Sequence, residues 1–70
     1  MLFTAEEYVA IASTYFHKGD FTQANIAVGQ SFITRQDIAE AWLIRAKIAQ
    51  ENRIFDQAYQ AYEKSIALDD

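Results

Sequence analysis

The sequence predicts an all-α protein: two antiparallel helix-turn-helix hairpins, stacked one on the other. The main reason is an internal repeat. Residues 5–36 overlie residues 39–70 without insertion, at a period of 34, and eight positions are identical. These are Ala5/Ala39, Glu6/Glu40, Ala12/Ala46, Phe21/Phe55, Gln23/Gln57, Ala24/Ala58, Ala27/Ala61 and Ser31/Ser65, and Tyr8/Trp42 pairs aromatic with aromatic. A fixed period of this size marks stacked supersecondary units, and such arrays overwhelmingly bind other proteins. Apolar residues within each unit recur at helical spacing. The chain also has no proline and only two glycines, which suits helices and argues against disorder.

The first helix is expected to begin at Thr4, because Thr4-x-x-Glu7 is a capping box and Phe3 and Tyr8 stand at the spacing of a hydrophobic staple. Tyr8, Ile11, Ala12 and Tyr15 then form one stripe. Lys18-Gly19-Asp20 ends it: Gly19 suits a left-handed residue after a helix, and Asp20 can cap the next helix with Gln23. Helix two sets Phe21, Ala24, Val28 and either Phe32 or Ile33 on one side, with Gly29 in its interior at a cost of about 1 kcal/mol relative to alanine.

Asp37-x-x-Glu40 reads as a second capping box, opening helix three. Trp42, Ala46 and Ala49 make one line on that helix, and Ile44 and Ile48 make another. A helix apolar on two sides packs between neighbours, as the third of four would. Asn52-Arg53 replaces the Gly-Asp turn, with Asn52 the residue expected to tolerate a left-handed backbone. Helix four carries Phe55, Ala58, Tyr59, Tyr62 and Ile66. The connections are short, so neighbouring helices run antiparallel. The domain is single, residues 1–70, with units 5–38 and 39–70.

Composition narrows function by exclusion. There is no cysteine and one histidine, so neither a disulfide framework nor a thiolate or histidine-cluster metal site is expected. No apolar stretch nears the roughly 20 residues needed to span a membrane, and the start lacks the basic region of a signal peptide. Cytoplasm is the default location. Net charge is −4, with the six basic residues scattered, which disfavours nucleic acid and anionic lipid as partners.

Chemistry has few places to sit. His17 follows Ser13 by four residues on one helix face, yet no third partner completes a nucleophilic arrangement. Glu6 and Glu7 favour the positive start of helix one, whereas Asp69 and Asp70 fall at the unfavourable end of helix four. Gly19 and Gly29 are isolated, so there is no phosphate loop. No catalytic residue and no cofactor are expected. A second stripe on the first helix of each hairpin is more informative: Glu6, Val9, Ser13 and Phe16, then Glu40, Leu43, Lys47 and Gln50. These residues either face a partner or pack between the hairpins.

The chain resembles the tetratricopeptide repeat. The second unit carries Trp42, Ala46, Phe55, Ala58 and Tyr62 at that family's spacings, followed by Glu63-Lys64-Ser65-Ile66-Ala67-Leu68-Asp69. The first contributes Tyr8, Ile11, Ala12, Tyr15, Gly19-Asp20-Phe21 and Ala24, so the likeness covers residues 5–70. Arg45 departs from the pattern where leucine is usual, as do Ala49 in place of a large aromatic and Asp70 in place of proline. The resemblance implies a short right-handed α-solenoid. It also implies a concave groove in which a protein or peptide partner would contact Val9, Ser13, Phe16, His17, Leu43, Lys47 and Gln50. Family members that clamp chaperone carboxylates use Lys and Asn along this stripe. Val9, Ser13 and Ile44 stand there instead, so that clamp is not expected.

Helix four has no successor in this sequence. Tyr59, Tyr62, Ile66 and Leu68 cannot all be covered by helix three, and an aromatic face of this kind suits self-association or further repeats. The expected function is a non-catalytic interaction module using the groove and this face. The alternative is a homo-oligomerising scaffold, or part of a longer array, with no dedicated peptide ligand.

Overall fold

A computed structural model describes residues 2–69, so Met1 and the Asp70 of the acidic end lie outside the described residues. Four helices and no strand occur among those described: α1 (Ala5–His17), α2 (Phe21–Thr34), α3 (Ala39–Glu51) and α4 (Phe55–Leu68). α1 packs along α2 and α3 along α4, giving two hairpins, while α3 also touches α2 and α1. α3 therefore sits between neighbours on two sides, as its doubled apolar pattern predicts. Both of its lines are used, with Ala46 and Ala49 buried along with Ile44 and Ile48.

The start of α1 forms as its sequence requires. Thr4 Oγ1 accepts from the Glu7 N–H at 3.1 Å, and Glu7 Oε1 accepts from the Thr4 N–H at 2.8 Å. Phe3 meets Tyr8 edge-on with ring centroids 5.5 Å apart. At the turn Gly19 takes φ +82°, and the Asp20 carboxylate accepts from the Gln23 N–H at 3.1 Å. α2 continues through Gly29 and chooses between its two candidate core residues. Phe32 turns inward against the core, whereas Ile33 is exposed.

Two local expectations fail, each for a physical reason. Asp37 does not cap α3: the cap residue is Ile38, with no side-chain hydrogen bond. The Asp37 carboxylate instead accepts from Arg35 Nε at 2.9 Å, and Arg35 Nη1 reaches across to Glu6 at the start of α1. A guanidinium two residues away is a stronger partner than a backbone amide. Hydrogen bonding to Arg35 holds the Asp37 carboxyl below its ordinary value of 3.8. The bond to Asp37, with the charges of Asp37 and Glu6, pushes the Arg35 guanidinium up. A depressed folded-state value stabilises the protein above the ordinary carboxylate range, and that contribution is lost as pH falls through the folded value. The stability gap between wild type and Asp37→Asn should therefore be constant near neutrality and shrink in acid below the ordinary carboxylate value. Denaturation at a series of pH values checks this; a gap independent of pH would show that the bond contributes nothing.

The second failure is at the α3–α4 turn. Asn52 has φ −87°, and it is Arg53 that takes the left-handed conformation, at φ 61°. Arg53 is the 34-residue counterpart of Gly19, so the backbone repeats even where the residue does not. A Cβ in that region costs about 1–2 kcal/mol, partly offset by glycine's greater freedom in the unfolded chain. Arg53→Gly should stabilise the protein by about 1 kcal/mol and raise its melting temperature by roughly 4–8 °C. Thermal denaturation followed by circular dichroism measures it, and a fall in melting temperature would refute the strain.

Candidate functional site

The stripe expected to line a groove divides in the structure. Val9 is only 3 % exposed and belongs to the central apolar cluster, so it offers no surface to a ligand. Its position lets it bury with Ala12, which is worth more than standing over a groove. Ser13, Phe16 and Leu43 are half-buried, and His17, Lys47 and Gln50 are exposed. Phe16, His17 and Lys47 come together: the Lys47 ammonium lies 6.0 Å from the Phe16 ring centroid, and His17 meets Phe16 edge-on at 5.9 Å. Gln50 is engaged elsewhere: its Oε1 accepts from the Tyr62 hydroxyl at 2.8 Å.

His17 Nδ1 lies 2.7 Å from the Ser13 carbonyl oxygen and 3.4 Å from the Ser13 hydroxyl. A carbonyl only accepts, so Nδ1 carries the proton and has no lone pair with which to activate the hydroxyl. The pair caps its own backbone. Among the described residues, no group of three or more His, Asp or Glu side chains could hold a metal ion, and no helix is long and apolar enough to cross a membrane.

The assembly face expected on α4 divides too. Tyr59 and Ile66 are exposed, Tyr62 is half-buried with its hydroxyl held by Gln50, and Leu68 is half-buried. Phe55, one turn before Tyr59, joins the exposed side. Tyr59, Tyr62, Glu63, Ile66 and Ala67 line a shallow depression of about 430 Å³. It is mostly apolar.

A third feature was not among the expected site residues. Between the hairpins lies a cleft of about 550 Å³ floored by Phe32 of α2 and Trp42 of α3, whose centroids are 4.5 Å apart at 43°. Trp42 Nε1–H donates to the Gln36 carbonyl at 2.8 Å, which fixes the indole. The Arg45 guanidinium sits 5.6 Å from the Phe32 centroid and the Lys64 ammonium 6.0 Å from that of Trp42. Arg45, the departure from the repeat pattern, thus keeps its charge outside while its head lies over a ring. Part of this could be read ahead, since Trp42 and Arg45 are three residues apart on one helix face. The approach of Lys64 from α4 could not.

Neither a family model, nor a curated protein, nor a solved structure matches this chain.

Proposed function

We propose that this chain is a non-catalytic protein-association module of the tetratricopeptide type, which pairs with a second copy of itself through the exposed face of α4. The observation that carries this reading is a mismatch between equivalent faces. On α2, Phe21, Val28 and Phe32 lie in or against the core, and Val28 is fully buried. Their counterparts 34 residues on are Phe55, Tyr62 and Ile66, yet Phe55 is 62 % and Ile66 72 % exposed. The face that one hairpin uses to receive the next is therefore apolar and uncovered on α4. Contiguous exposed aromatics of this kind mark association sites.

The opposite end of the stack favours a two-fold arrangement. Ala41, Ile44 and Ile48 of α3 are buried, whereas their counterparts Glu7, Ala10 and Thr14 on α1 are exposed and mostly polar. Head-to-tail stacking would press the apolar α4 face against Glu7 and Thr14. Pairing α4 with its mate sets apolar against apolar and closes the assembly. In this reading Ser13, Phe16, His17, Leu43, Lys47 and Gln50 remain open to a peptide partner.

Light scattering from about 10 µM to about 1 mM, a range spanning weak to moderate self-association, should show mass rising toward twice the 8.0 kDa of one chain. Tyr59→Lys with Ile66→Lys should return it to 8.0 kDa while the helical spectrum is retained. A wild type that stays monomeric throughout, with its melting temperature unmoved by the two substitutions, would sink the reading.

A further inference from the structure

We propose that the cleft between α2 and α4 binds an acidic segment of a partner protein, one that carries a carboxylate beside an apolar or aromatic side chain. The cleft exists because no Cα of α2 comes within 8 Å of a Cα of α4, and the stacked rings of Phe32 and Trp42 line the space left between them. Its lining is unusual for this chain. Acidic residues outnumber basic ones ten to six, yet the residues lining the cleft include Arg45 and Lys64 and no carboxylate.

The chemistry is complementary to a carboxylate next to a hydrophobe. Neither cation has an ion-pair partner among the salt bridges of the described residues, which both belong to Arg35. Each lies over an aromatic face, which holds the side chain in place while leaving N–H donors for a ligand. An incoming carboxylate would be met by two charge-assisted donors above an apolar floor, where such bonds are stronger than in open water. The side-chain amides of Gln36 and Gln57 at the edge can pair with the backbone of an extended segment. The apolar neighbour of the carboxylate would cover the exposed part of the Phe32–Trp42 pair.

This site is independent of the association face. At 100° per residue, Gln57, Gln60 and Lys64 lie on the side of α4 opposite Phe55, Tyr59 and Ile66. Both can be occupied together.

Trp42 is the only tryptophan, so intrinsic fluorescence reports directly on the cleft floor. The probe is a blocked peptide of sequence Glu-Leu-Asp-Phe-Glu, compared with its neutral counterpart Gln-Leu-Asn-Phe-Gln. The acidic peptide should give a saturable change in emission, with a dissociation constant that rises about fivefold between roughly 50 and 300 mM salt. The neutral peptide should bind about tenfold more weakly, as should the acidic peptide to the Arg45→Gln, Lys64→Gln double variant. Gln57→Glu, a surface change that adds a carboxylate at the edge, should weaken the acidic peptide severalfold and gives a second test should the double variant fail to fold. Equal binding of the two peptides, no saturable response near 1 mM, or a tighter response to a single-stranded oligonucleotide than to the acidic peptide would each overturn the proposal.

Discussion

Ala12→Leu should destabilise the protein by about 2–3 kcal/mol and lower its melting temperature by roughly 10–20 °C. Ala12 is completely buried, as is Ala24 of α2, and both lie in the same core cluster. Two helices come this close only where one side chain is small, and a leucine there forces the backbones apart or twists its neighbours off their rotamers. The stability of a chain of this length is only on the order of 4–10 kcal/mol, so the loss is a large fraction of the whole. Ala46, the counterpart 34 residues on, is equally buried, and Ala46→Leu should cost a similar amount. Urea denaturation of both variants measures the effect. Melting within two or three degrees of wild type, less than 1 kcal/mol produces, would show that the hairpins do not pack through these alanines.

Trp42→Ala is the second large effect, and it acts between the hairpins rather than within one. The indole stacks on Phe32 from the other hairpin, donates to the Gln36 carbonyl and lies under Lys64. Removing a core aromatic costs about 3–5 kcal/mol; Trp42 is half-buried, so about 2–3 kcal/mol is expected. Trp42→Phe keeps an aromatic ring against Phe32 and loses the hydrogen bond and part of the indole's packing, so it should cost about 1–2 kcal/mol. Circular dichroism melts distinguish the two. If the alanine and phenylalanine variants melt together, the stack does not hold the hairpins to each other.

Much of the fold is legible in the sequence wherever the determining partners are a few residues apart. Thr4 finds Glu7, Phe3 finds Tyr8 and Asp20 finds Gln23 because helix starts are closed by neighbours in the chain. The same local reasoning failed at Asp37, where Arg35 offered a charged partner and won. At Asn52 the failure was one of register: the backbone kept the 34-residue period, so the left-handed position fell on Arg53 although asparagine tolerates it better.

The candidate sites were legible only in part. Val9 and Ala12 both belong to the core, and periodicity alone does not say how wide the buried stripe of α1 is. The exposed residues of α4 were foreseeable, because Phe55, Tyr59 and Ile66 are too many apolar side chains on one helix for α3 alone to cover. The cleft was not, since Lys64 meets Trp42 across 22 residues of chain.

The start of α1, the Gly19 turn with the Asp20 cap of α2, and the small residues inside each hairpin were set by local chemistry and a repeated pattern, which the linear order of residues carries. What fills the space between hairpins depends on how far apart α2 and α4 stand and on which side chains bridge that distance. Only the packed structure decides this, because the energy of Phe32 on Trp42, with Arg45 and Lys64 above them, is a property of three helices at once.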